Sequence, residues 1–196
     1  IGALDVALWD IYGESCGEPV WRLLGGYRDR VPAYADGIGY VPQSPQTVAA
    51  LVRKHADLGY PAVKFHLSGP DPEDALEKVR LSREALGAEG KLMIDAHRVW
   101  HGRLAAEMAL KFEPYNLFWI EEPVRHDDEP SYLRMVREST SALLAGGESE
   151  GTLDGTRRLI AEGGLQVVQA DILEGGGFTG LMRIAALAEA HHVYVA

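Results

Sequence analysis

The chain has 196 residues, 46% of them hydrophobic and 24% charged, and carries a formal net charge of −10. This is the profile of a soluble globular protein with one sizeable core, and an acidic balance with no Lys/Arg block excludes nucleic acid and anionic membrane surfaces as partners. Cys16 is the single cysteine, which excludes an internal disulfide and a thiolate metal cage, and no apolar run approaches the roughly 20 residues that span a bilayer. A cytoplasmic protein is expected.

In chain order, ALDVALWDIYGESCGEPVWRLLGG reads as a helix and a Gly-terminated connection, and residues 1–30 are assigned to the trailing helix of another, capping-type domain. The chain opens in mid-helix and stops inside the apolar run HHVYVA, so an excerpt of a longer protein is expected. From residue 31 onward, short runs rich in branched and aromatic residues recur. They are VPAYADG (31–37), PAVKFH (61–66), KLMIDAH (91–97), LFWIEEP (117–123), ALLAGGES (142–149), LQVVQAD (165–171) and HVYVA (192–196). Segments of helical period separate them, among them TVAALVRKHADLG, DPEDALEKVRLSREALG, RLAAEMALKF, TLDGTRRLIAEGG and TGLMRIAALAEAHH. Asp71-Pro72 marks a helix start, and Gly59 and Gly87 mark helix ends. Strand–helix–strand at this spacing builds a parallel sheet.

An open doubly wound sheet and a (β/α) barrel both satisfy that pattern. Polar residues decide between them, because Lys64, His66, Asp95, His97, Glu121, Glu148 and Asp171 fall at the C-terminal ends of different runs. An open sheet gathers ligands at one switch point, whereas every strand end of a barrel faces one mouth. The expectation is an α/β fold, an incomplete (β/α)7β barrel over 31–196 that ends before its last strand.

Asp95, Glu121 and Glu148 sit one strand–helix unit apart, so three neighbouring strands can aim them at one point. Three carboxylates without cysteine select a hard cation, Mg²⁺ before Zn²⁺. Each acid alone is equally an exposed strand end or helix cap; the repeated spacing favours a metal site. Adjacent Glu121 and Glu122 cannot share a face of one strand.

IDAH, WIEEP and AGGES, together with ALWDIYGESCGEPVWRLLGG, resemble the mandelate racemase and muconate lactonizing branch of the enolase superfamily. The resemblance implies a barrel whose third, fourth and fifth strands end in Mg²⁺ ligands, matching Asp95, Glu121 and Glu148. Glu121 then turns inward, and Glu122 points to the helix layer or to a hydrogen bond at the rim. The chemistry it implies begins with removal of the proton α to a carboxylate, the cation stabilising the ene-diolate while a Lys or His base acts.

Lys64 and His66 share one strand face. The branch commonly carries Lys-x-Lys here; His66 replaces the second Lys, as either a base or a hydrogen-bonding group for substrate. Lys64 is either an electrostatic group beside the substrate carboxylate or a structural ion pair. His97 in Asp-x-His resembles the acid-sugar dehydratases of the galactonate and mannonate type, where this His protonates the leaving 3-hydroxyl. Asp171 matches half of an Asp–His dyad base whose His falls beyond Ala196. Arg98, Trp100 and His126 are candidate contacts to distal substrate hydroxyls.

GGGFTG (175–180) fits GxGxxG but lies in the sixth unit, with no acid at the next strand end, and reads as a tight turn. Met108 and Met182 read as core. The resulting expectation is Mg²⁺-dependent dehydration of a sugar acid to a 2-keto-3-deoxy acid, with a homo-oligomer open because the resembled family is often oligomeric. A racemase or epimerase of the same superfamily and a non-catalytic metal-binding relative are the alternatives.

Overall fold

The computed structural model describes residues 1–125 and 130–196. Seven strands form one sheet in sequential order: β1 (Ala35–Ile38), β2 (Ala62–His66), β3 (Lys91–Asp95), β4 (Trp119–Glu121), β5 (Leu143–Gly146), β6 (Val167–Val168) and β7 (Tyr194–Val195). All neighbours pair in parallel. Helices α3 (Pro45–Asp57), α4 (Pro72–Leu86), α5 (Gly102–Phe112), α6 (Pro130–Glu138), α7 (Leu153–Ala161) and α8 (Gly177–Ala190) follow β1 to β6 in turn. Two helices, α1 (Gly2–Cys16) and α2 (Val20–Leu23), precede the sheet.

Expected start and stop signals act where their chemistry places them. Asp71 accepts the N–H of Glu73 at 3.1 Å with Pro72 in the first turn of α4, and Gly87 ends that helix with φ 86°. Helix α6 is short and buries only Leu133 and Val136. Among the described residues no helix is long and apolar enough to cross a membrane.

Strand alternation divides the apolar residues into two clusters. Val63, Phe65, Leu92, Ile94, Ile120, Leu144 and Val168 pack outward with the helices, whereas Ala62, Met93, Trp119, Ala145 and Val167 form a separate inner cluster. The sheet curls around that inner cluster. Strands lie about 4.8 Å apart, so β1 and β4 would stand about 14 Å apart if flat. Yet the ring of Tyr34, just before β1, meets that of Trp119 on β4 edge to face at 5.3 Å. The architecture is therefore a curled, partial α/β barrel.

Helix α1 lies against α8. Its Asp5 Oδ2 accepts the N–H of Thr179 at 3.0 Å in the first turn of α8, and Trp9 Nε1 donates to Thr179 Oγ1 at 3.0 Å. The GGGFTG segment is thus a turn whose helix N-terminus already holds an internal carboxylate. Met108 is fully buried, but Met182 is 47% exposed on α8, so only the first of the two is core.

Trp100 also departs from its expected place. It is 1% exposed, packs beside Phe112 at 6.1 Å and donates Nε1–H to the Pro70 carbonyl at 3.2 Å. It is a core residue rather than a substrate contact, drawn inward because the turn after β3 pairs Trp100 with Val124 in an isolated parallel bridge. Trp100→Ala should lower the unfolding free energy of the full-length protein by about 3–5 kcal/mol in denaturant titrations. An unchanged midpoint with altered substrate affinity would return Trp100 to the site.

Candidate active site

Parallel register converts strand position into a site. His66 pairs with Asp95, Asp95 with Glu121 and Glu121 with Ala145, so one row of inward residues crosses four strands. Beneath it lies the inner apolar cluster; above it lie the loops at the strand ends. Every acid in the row is buried: Asp95 is 2% and Glu121 3% exposed. Burying carboxylates together raises their energy unless cations or donors answer them.

Lys64 answers Glu121. Its Nζ lies 2.8 Å from both Glu121 oxygens, with side-chain exposures of 6% and 4%, and stands 3.6 Å from Asp36 Oδ2. Trp119 Nε1 and Gln169 Nε2 donate to Glu121 Oε2 at 3.2 and 2.9 Å. Burial works to lower the Lys64 pKa, but Glu121 outweighs it and the ammonium titrates well above its usual range. Burial pushes the Glu121 carboxyl up, against the pull of Lys64.

His66 answers Asp95 and Asp36. Nε2 lies 3.1 Å from Asp36 Oδ1 and Nδ1 lies 3.0 Å from Asp95 Oδ2, while the Tyr40 ring covers the imidazole at 3.8 Å between centroids. Burial alone would lower the His66 pKa; the two carboxylates outweigh it and raise it to about 9. Burial opposes ionisation of Asp95, but His66 and the His97 N–H hold its carboxyl below the usual range. Gly39, with φ 86°, brings backbone against this pair; a Cβ there would sit 2.3 Å from the His66 carbonyl oxygen.

Arg98 answers the third set. It lies 3.0 Å from Glu122 Oε2 through Nε, donates to Ser149 Oγ at 2.7 Å and binds Glu148 Oε1 at 2.5 Å. The guanidinium is spent on the β4 and β5 strand ends. Glu122 turns away from Glu121 to the rim, where Oε1 accepts the Gly147 N–H at 2.9 Å. Burial pushes its carboxyl up.

The backbone here is strained. His97, Arg98 and Glu122 have φ of 51°, 60° and 45°, three of the five non-glycine residues with positive φ among those described. Such conformations cost of order 1–3 kcal/mol each and persist when their surroundings over-determine them. Here Ala96 N–H bonds Glu121 O at 2.9 Å, Arg98 N–H bonds Glu122 O at 2.8 Å and His97 N–H bonds Asp95 Oδ1 at 2.7 Å.

The sequence-expected residues thus fall into distinct places. Lys64, His66, Asp95 and Glu121 stand together, and His97, its side chain 57% exposed, reaches over them with Nδ1 3.7 Å from Asp95 Oδ2. Glu148 sits beyond β5, held by Arg98. Asp171 is exposed past β6, its Oδ1 accepting the N–H groups of Leu173 and Glu174 at 2.7 and 3.1 Å. His126 lies outside the described residues. Asp36, Tyr40 and Gln169 also belong to the site; a polar residue two before an expected strand end (Gln169) or inside the first run (Asp36) was the available signal.

The donor set fits a hard divalent cation. Asp95, Glu121 and Glu148 offer only oxygens, and five carboxylates (Asp36, Asp95, Glu121, Glu122, Glu148) face two permanent cations, Lys64 and Arg98. Gln169 Oε1, buried beside Glu121, has no hydrogen-bond partner and adds an unused oxygen. Among the described residues, the group whose ligand atoms already lie within 4.8 Å of one another is a different one: His66, Asp95 and His97.

Comparison with known proteins bears on the fold and the family. The family described as Enolase C-terminal domain-like matches residues 47–196. D-gluconate dehydratase of Thermoproteus tenax is 37% identical over 100% of this chain and 41% of its own length. The 3,6-anhydro-alpha-L-galactonate cycloisomerase of Streptomyces coelicolor is 36% identical, over 98% of this chain and 53% of its own. The crystal structure of a racemase from Streptomyces coelicolor A3(2) with bound magnesium superposes with a TM-score of 0.90 at 35% identity, covering 99% of this chain and 57% of that one. The chain spans about half the length of the curated relatives it matches. A curled parallel sheet, acids at successive strand ends and a family match over most of the chain together establish that it belongs to the enolase superfamily, in the mandelate racemase/muconate lactonizing branch.

Proposed function

We propose that the full-length protein is a cytoplasmic Mg²⁺-dependent dehydratase that converts a sugar acid to a 2-keto-3-deoxy acid. The observation that carries this reading is His97: an imidazole at the mouth, its Nδ1 3.7 Å from Asp95 Oδ2, on the left-handed turn after β3. Dehydration needs a group to protonate a departing hydroxyl, and racemisation does not. The dehydratase named among the relatives supports the same class.

Asp95, Glu121 and Glu148 are the residues that would hold the cation. When bound, it would supply positive charge that acidifies the proton α to the substrate carboxylate. The chain's own groups do the rest. Lys64 pairs with Glu121 at 2.8 Å and orients it inside the sheet. Arg98 orients Glu122 at the rim and holds Glu148 until a cation draws it away. Both ring nitrogens of His66 face carboxylates, so we assign it to orienting Asp95 and place the acceptor of the α-proton on the Asp171 side. Asp171 spends Oδ1 on its own turn, and neither of those bonds uses Oδ2, which is left for a partner. Residues 1–30 are taken as the last helix of a capping domain that would close over the mouth.

An isomerisation is the second reading, favoured by the cycloisomerase relative. Product analysis with a panel of sugar acids and Mg²⁺ separates the two. Wild type should release a 2-keto-3-deoxy acid, and His97→Asn should lower that rate about 10²–10⁴-fold while retaining exchange of the α-proton with solvent deuterium. Exchange and stereochemical change in wild type without keto acid would replace dehydration by isomerisation. In the same exchange assay His66→Gln should remain active and Asp171→Asn should not; the reverse pattern would move the base to His66.

A further inference from the structure

Asp95 presents its two oxygens to different partners. Oδ1 accepts the His97 N–H at 2.7 Å, which leaves Oδ2 facing two imidazole nitrogens: His66 Nδ1 at 3.0 Å and His97 Nδ1 at 3.7 Å. All three ligand atoms lie within 4.8 Å of one another. Metal–nitrogen and metal–oxygen bonds of about 2.0–2.1 Å set the ligand atoms of a tetrahedral Zn²⁺ site about 3.3–3.4 Å apart. The separations from Oδ2 bracket that value, and the third pair of ligand atoms lies within 4.8 Å.

His66 is prepared as a ligand in two further ways. Its Nε2 meets Asp36 Oδ1 at 3.1 Å, the carboxylate–histidine arrangement that orients a ligating imidazole, and a metal at Nδ1 would displace the proton that the two carboxylates otherwise hold on the ring. Nδ1 is buried and makes no hydrogen bond of acceptable geometry, although it stands at ion-pair distance from Asp95. Tyr40 stacked on the ring limits its rotation. His97, by contrast, is more than half exposed, which leaves an open coordination position towards the mouth.

We propose that His66, Asp95 and His97 form a binding site for a borderline transition-metal dication of the Zn²⁺ or Co²⁺ class, separate in ligands from the all-oxygen set Asp95, Glu121 and Glu148. Two imidazoles and one carboxylate suit such ions and not Mg²⁺. Asp95 is common to both sets, so occupancy of one excludes the other, and Zn²⁺ acts as an inhibitor that competes with Mg²⁺. That competition rests on the Mg²⁺ reading given above; the imidazole site does not.

The test titrates metal-stripped full-length protein with Co²⁺ and follows its visible absorption. Asn replaces His97 because it tolerates the left-handed backbone there. One Co²⁺ per chain should give an intense band of low-coordinate type, bleached by Zn²⁺. His97→Asn should weaken binding at least about 10-fold, and Glu148→Gln should leave it unchanged. Excess Mg²⁺ should raise the apparent Co²⁺ dissociation constant of wild type. Equal Co²⁺ binding by wild type and His97→Asn, or loss of it in Glu148→Gln, overturns the imidazole site. Binding that depends on His97 but ignores Mg²⁺ supports the imidazole site and refutes the shared Asp95, placing the failure in the Mg²⁺ reading.

Discussion

Lys64 and Glu121 meet inside the sheet at 2.8 Å, and the rest of the site is arranged around that pair. Two facts force it. Side chains alternate along a strand, and β2, β3 and β4 are in register, so the acids and cations at their ends share one inner row. A buried carboxylate left without its partner is destabilising by about 3–5 kcal/mol. Lys64 therefore cannot be spared from Glu121, and Asp95 must find its own partner. It finds His66, which Asp36 holds from the far side. Glu148 and Glu122, farther out, share Arg98.

The rim shows the cost of turning the chain sharply above a parallel sheet. Ala96 and Arg98 borrow the carbonyls of Glu121 and Glu122, so the turn after β3 is stitched to the end of β4. That stitching holds His97 and Arg98 in left-handed conformations and sets His97 above Asp95. Gly147, with φ 102°, gives its N–H to Glu122 and does the same for the turn after β5. Strain at these positions is consistent with a site whose side-chain directions matter more than local stability.

The strand ends were legible in the sequence because their chemistry is local: an apolar run that stops at an acid, repeated at βα spacing, reads as a row of inward carboxylates. Asp95 and Glu121 stand in that row. The outward turn of Glu122 was legible too, from the impossibility of two neighbours sharing a face. Asp36 was not, because it lies in β1, where the register shifts between Ala35 and Ile38 and Gly37 takes φ 89°, so simple alternation does not locate it. Trp100 misled because a residue two beyond His97 looks like a loop contact; a bridge to Val124, invisible in sequence, pulls it into the core. Arg98 looked free for substrate because its partners come from the next two strand ends.

The central claim is that the strand-end carboxylates bind one divalent cation through Asp95, Glu121 and Glu148. Anomalous diffraction from crystals of the full-length protein grown with Mn²⁺ in place of Mg²⁺ tests it most directly. The account expects one strong peak bounded by those three side chains, with Glu148 drawn away from Arg98. A peak held by His66, Asp95 and His97 alone, or no peak near Glu121, would contradict it.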